Sequence, residues 1–253
     1  MSPAAPFAGE LFVPRYEPLE SGPWRLDVVP FAIMPGYWSD ARPVADMAVL
    51  HRDGQSWMST TPFEFESQEI GVRCASGHVL IFGLGMGWAA CASACIPAVD
   101  AVTVVEKDLD VLALHERLDL VAQLPAEART KLTIVPGDAY DYRPDRPVDL
   151  LMPDIWRPLV SDGRVDEVRR MQANVGARAV YFWGQEMEIA RHLAAAAREP
   201  DPAGIAATVA EFGLPLIGPG DSGYAGKTLA AARRWMRGRW LCAEAPPWAQ
   251  GGA

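Results

Sequence analysis

Residues 78–112 read "HVLIFGLGMGWAACASACIPAVDAVTVVEKDLDVL". An apolar run from His78 to Phe82 breaks into glycines at 83, 85 and 87, and a second run, "AVTVVE", ends on Glu106. Short apolar runs rich in β-branched residues and bounded by glycine predict buried strands, and the alanine-rich stretch "WAACASAC" between them predicts a helix. The order strand, tight turn, helix, strand is a βαβ unit, whose two strands lie parallel. Glycines at such a turn allow close approach to the backbone, because a Cβ there would hold a ligand off. The helix start beyond offers free N–H groups and a partial positive charge.

Working outward, the same alternation continues. "DLDVLALHERLDLVAQL" predicts a helix, "KLTIVPGDA" and "VDLLMPD" strands, "GRVDEVRRMQANV" a helix, "ARAVYFWG" an extended run and "QEMEIARHLAAAARE" a helix. The fold class expected is α/β: a Rossmann-like, doubly wound, mostly parallel sheet, with ligands beyond the carboxyl ends of its strands. Residues 1–60 differ. The runs "WRLDVVPFAI", "VADMAVLHR" and "QSWMST", with a hairpin signal at Asp53-Gly54, predict a small N-terminal β unit. A linking helix over 61–76 follows, with Thr61 as its cap, Pro62 in its first turn and Gly77 closing it. The division expected is 1–60 for the β unit and 61–253 for the ligand-binding domain, linking helix included.

Composition excludes several classes. Half the residues are hydrophobic and 22% charged, the balance of a globular chain rather than a disordered one. No apolar run is long enough to span a bilayer, and the first residues lack the basic start and apolar core of a signal peptide, so a cytoplasmic protein without a membrane partner is expected. A net charge of −9 argues against a nucleic-acid partner. The run holding Arg233, Arg234, Arg237 and Arg239 reads as a solvated helix face or as partners for carboxylates within the fold. Cys91 and Cys95 share a helix face as small core residues. The scattered histidines form no ligand motif, and no metal site is expected.

The strand ends carry the chemistry. Glu106 can accept both hydroxyls of a ribose. Asp138, after the third strand, can accept an adenine amino group, and Ala139 leaves room for the ring edge. The turn is GxGxG rather than the dinucleotide GxGxxG, with Trp88 at the helix start. With "GDA" after the third strand, this favours an S-adenosylmethionine type of ligand over NAD.

"HVLIFGLGMG", "VTVVEKD", "IVPGDAYDY" and "VDLLMPDIW" resemble, in order, the motifs of class I S-adenosylmethionine-dependent methyltransferases. "LHRDGQSWMSTTPFEFESQE" is similar to the spermidine synthase branch of that fold, in which a small β domain precedes the glycine motif. The resemblance covers roughly residues 45–156. It implies donor contacts from Gly83, Gly85, Gly87, Glu106, Lys107, Asp138 and Ala139, with S-adenosylmethionine or its decarboxylated form as donor. It implies a small-molecule acceptor, and homodimers occur among such proteins. On the acceptor side we expect Asp154 as base or orienting group, with Gln55, Trp156, Arg157 and Trp183 lining the pocket. Gln185 and Glu186 are expected at the same edge as solvated helix-start residues.

Departures from the branch are specific. Arg157 stands where a second acid is usual and would repel a diamine by about 4 kcal/mol at 4 Å and an effective dielectric near 20. The linking helix lacks the polyamine-binding tyrosine-histidine pair, Met86 replaces an acid in the glycine loop, and Ile81 replaces the acid many methyltransferases carry there. No terminal antiparallel strand pair is legible after residue 213. The reading is a methyltransferase acting on a small molecule. The alternatives are an aminopropyltransferase with a non-standard acceptor and a relative that keeps the fold without the chemistry.

Overall fold

The computed structural model describes residues 11–250; the outer ends of both expected segments, 1–10 and 251–253, lie outside the described residues. The front of the chain forms an antiparallel sheet in the order β1-β2-β3-β4, from Leu19–Ser21, Trp24–Met34, Arg42–Arg52 and Gln55–Ser59. Asp53 and Gly54 both take positive φ (49° and 73°), the geometry of a type I′ hairpin turn joining β3 to β4.

Helix α1 (Pro62–Arg73) starts as expected, with the Thr61 hydroxyl accepting from the Glu64 N–H at 3.4 Å. Its far end differs from expectation. The helix stops at Cys74, and Gly77, at φ +60°, opens the next strand instead, where a Cβ would lie 2.1 Å from the Asp149 carboxylate. Strand formation there, not helix capping, requires the glycine.

The second sheet is parallel, from β5 (Gly77–Phe82), β6 (Val99–Glu106), β7 (Leu132–Pro136), β8 (Leu150–Pro153) and β9 (Ala179–Val180). Its order, β7-β6-β5-β8-β9, winds outward in both directions from β5, so the strand order reverses between β5 and β8. This is the Rossmann-like doubly wound arrangement, and its switch point is the place where ligands bind. β5 is covered on both faces: Val79, Leu80 and Phe82 are fully buried, which is why the strand reads as an unbroken apolar run. The helices include α2 (Trp88–Ala94), α3 (Leu109–Arg117), the short α4 (Ala126–Arg129), α5 (Arg164–Val175), α6 (Gln185–Ala195), α7 (Pro202–Phe212) and α8 (Tyr224–Trp235).

Two elements are shorter than their patterns predict. The helix from Leu109 ends at Arg117, because Asp119 takes positive φ and a 3-10 turn carries the chain on. The run "ARAVYFWG" contributes only two strand residues before Trp183 and Gly184 turn into α6. Among the described residues no named strand follows β9, and Leu216 adds a single parallel bridge to Val180 at that edge. Among them, too, no helix is long and apolar enough to cross a membrane.

Candidate functional site

A cavity of about 680 Å³ opens at the carboxyl ends of the parallel strands, walled on one side by the N-terminal sheet. Gly83 and Gly85 after β5, Glu106 and Lys107 after β6, Asp138 and Ala139 after β7, and Asp154 and Trp156 after β8 all line it, as does Trp183 after β9. The topology that puts strand ends side by side therefore brings together nearly all the residues expected from sequence.

The end at which the sequence leads us to expect the donor is built around Glu106. Its Oε2 accepts the Leu84 N–H at 2.8 Å and its Oε1 accepts the Asp108 N–H at 2.7 Å. A carboxylate has about four lone-pair sites, so two remain for hydroxyl groups. Asp138 is anchored by the Lys107 ammonium at 2.7 Å and by the Tyr140 N–H at 3.0 Å. The lysine first, and that N–H second, hold its carboxyl below the usual range. Lys107 is itself pulled up by the same contact.

The glycines differ in what they do. A Cβ on Gly83 (φ +95°) would lie 2.1 Å from the Asp154 carbonyl oxygen, and one on Gly87 (φ +73°) would lie 2.5 Å from Leu120. Those two serve packing of the turn, and Gly87 does not line the cavity. Gly85 presents its bare face toward Met58, a lining side chain from β4, whose sulfur would lie 2.4 Å from a Cβ there.

The acceptor end holds Asp154. Its Oδ2 accepts the Gln68 amide N–H at 3.0 Å. Burial pushes its carboxyl up to about 7, while the Arg164 charge pulls the other way. Glu64, also lining the cavity, is raised well above the ordinary value by burial and then by the Asp154 charge. Arg164, at the start of α5, is 1% exposed. It donates to the Trp183 carbonyl at 3.3 Å and the Pro158 carbonyl at 2.8 Å, and its guanidinium carbon stacks 4.0 Å from the Trp156 ring centroid. The Trp156 indole donates to Glu167 at 2.6 Å and the Trp183 indole to the Ser67 hydroxyl at 3.0 Å, so both rings are fixed.

Three expectations need correction. Arg157 is exposed and does not line the cavity, because the chain turns outward at Trp156; the repulsion assigned to it does not reach the acceptor end. Gln55 is exposed at the hairpin, and the residues that β4 sends into the cavity are Trp57 and Met58. Gln185 and Glu186 are 0% exposed rather than solvated: the Gln185 amide donates to the Ile217 carbonyl and the Tyr224 hydroxyl, both at 3.0 Å, and Glu186 faces Tyr37 and Tyr181. Sequence reasoning also missed Glu64 and Gln68, although their four-residue spacing on α1 signals one helix face. It missed Trp24 and Arg52, whose guanidinium carbon lies 5.2 Å from the Trp24 ring centroid and 5.9 Å from that of Trp57. For those, no local signal exists.

No family model matches the chain, and no curated protein matches it. Among solved structures, the glycopeptide N-methyltransferase MtfA complexed with S-adenosyl-L-homocysteine is 25% identical over 43% of this chain and 41% of its own, with a TM-score of 0.32. The DhpI–SAH complex is 22% identical over 40% of this chain and 44% of its own, with a TM-score of 0.30. The methyltransferase domain of bacterial CtHen1-C is 17% identical over 44% of this chain and 59% of its own, with a TM-score of 0.33. The chain thus spans under two thirds of the length of each. The class of fold rests on the strand order and the site on its own geometry.

Proposed function

We propose that the chain is an S-adenosylmethionine-dependent transferase that moves a methyl group to a small molecule. The observation that carries this reading is the cavity in which a glycine turn, Glu106 and Asp138 stand at one end and the carboxyls of Glu64 and Asp154 at the other. Glu106 suits a ribose diol, and Asp138 with Ala139 an adenine edge.

When bound, the donor supplies an electrophilic carbon on a sulfonium. The rest falls to the chain. Transfer of this kind needs mainly proximity and alignment, plus a base where the acceptor carries a proton. Asp154 is that base: its carboxylate takes the acceptor's N–H or O–H proton, and Gln68 keeps it oriented. Trp156 and Trp183 keep water out and present aromatic faces to positive charge, a contribution of about 0.5–2 kcal/mol. Because Arg157 stands outside the cavity, a cationic amine fits beside Glu64 and Asp154, and aminopropyl transfer from the decarboxylated donor is the second reading.

Titration calorimetry with S-adenosylmethionine, its decarboxylated form and S-adenosylhomocysteine tests both. Micromolar binding of the carboxylate-bearing pair, abolished in Gly85→Asp, supports methyl transfer. Preference for the decarboxylated form supports the second reading, and no binding to any of the three removes both.

A further inference from the structure

Met58, on β4, is seated on the glycine turn. Its sulfur accepts the Met86 N–H at 3.1 Å, and a Cβ built on Gly85 would lie 2.4 Å from that sulfur. It therefore covers Gly85, one of the two turn glycines that line the cavity, and it uses an N–H that a ligand could take. A thioether is a weak acceptor, so this hydrogen bond is easily exchanged for a better one. Methionine is unbranched, with three rotatable bonds, and moves aside without disturbing the backbone.

The turn does not depend on Met58 for its shape. The Leu84 N–H is held by Glu106, the Gly85 carbonyl lies 2.6 Å from His115 Nε2, and the Met86 carbonyl accepts from the Tyr16 hydroxyl at 2.9 Å. Met58 fills a formed site rather than forming it.

The side chain's chemistry matches what it covers. Its CH2–CH2–S chain has the length of the two-carbon link between sulfur and the α-carbon in a methionine-derived donor, although its sulfur is a neutral thioether and that of the methyl donor a sulfonium. We propose that Met58 is an internal stand-in for the sulfur-bearing tail of the donor, and that it withdraws before an S-adenosyl ligand settles on Gly85. This rests on the donor site proposed above. The apparent affinity is then the intrinsic affinity reduced by the fraction of molecules in which Met58 has swung away.

S-adenosylhomocysteine is titrated into the full chain and into Met58→Ala, and the wild-type chain carrying methionine labelled with 13C at the methyl is followed by NMR. Met58→Ala is expected to bind about ten-fold more tightly, equivalent to about 1.4 kcal/mol. The Met58 methyl resonance, assigned by its absence from the variant, is expected to move on saturation of the wild type. Equal or weaker binding by Met58→Ala, or a methyl resonance that stays in place at saturation, overturns the inference while leaving the donor site standing. Failure of both proteins to bind removes the donor site and this inference together.

Discussion

His115 Nε2 lies 2.6 Å from the Gly85 carbonyl oxygen, which makes a helix α3 side chain the rear support of the glycine turn. A carbonyl only accepts, so Nε2 carries the proton, and the buried Nδ1 has no partner among the described residues. Burial pushes the ring's pKa down to about 4, and the Gly85 carbonyl pulls modestly the other way. The folded value lies below the ordinary one near 6.5, so the neutral ring contributes stability above pH 6.5 that is lost as pH falls toward 4. The full span is up to about 3 kcal/mol. His115→Gln keeps an amide donor without titrating, and it is expected to remove this loss. Urea unfolding at about pH 7.5 and about pH 5 measures it.

Gly83→Ala tests the turn from its other side. Positive φ alone costs about 1–3 kcal/mol, and here the new methyl also meets the Asp154 carbonyl 2.1 Å away. Gly163 is the control, with φ +81° and nothing within 4 Å of the point a Cβ would occupy, so Gly163→Ala carries the dihedral cost alone. The expected order is a larger fall in unfolding free energy for Gly83→Ala, accompanied by loss of donor binding that Gly163→Ala does not show. Equal losses in the two variants would assign Gly83 no role beyond its dihedral angle.

The contrast between Arg157 and Arg164 shows how much the sequence revealed. The central strands of the parallel sheet were legible because β5, β6 and β8 are buried along nearly their whole length and so are written as apolar runs. Strand ends then placed Glu106, Asp138 and Asp154 without further help. An arginine near the acceptor end was legible too, but its direction was not. Arg157 turns outward, while Arg164, seven residues later, folds back beneath Trp156. Met58 and Gln68 were hidden for the same reason: they meet Met86 and Asp154 across 28 and 86 residues of chain, where no periodicity reports a contact.

The acceptor end gives a pH-dependent rate. Asp154 serves as base only when ionised, and its carboxyl is pushed up to about 7. Turnover, once an acceptor is identified, is expected to rise with pH to a plateau with a midpoint near that value. Asp154→Asn is expected to lower the rate about 10²–10⁴-fold while donor affinity stays unchanged. A rate independent of pH from about 5 to 9 would leave Asp154 a positioning group without proton transfer.

Glu186 supplies the opposite stability slope. Its Oε1 accepts from the Tyr181 hydroxyl at 3.2 Å, a proton shared with the Ser67 carbonyl 2.9 Å away, and its Oε2 accepts from the Tyr37 hydroxyl at 3.3 Å. Burial pushes that carboxyl up to about 7, with hydrogen bonds from the Glu186 backbone and from the surrounding tyrosines pulling the other way. The folded value exceeds the ordinary 4.5, so this stability is complete below pH 4.5 and lost as pH rises through 7, by up to about 3 kcal/mol. Asp154 and Glu64 act in the same direction. Over about pH 4.5–6.5 the His115 slope therefore opposes that of Glu186, and with Asp154 and Glu64 on the side of Glu186 the wild-type profile falls with pH. Glu186→Gln is expected to make the fall of stability with pH shallower, and His115→Gln to make it steeper. Equal pH slopes of the unfolding free energy in the two variants would mean that one of these groups does not titrate in the folded protein as its surroundings dictate.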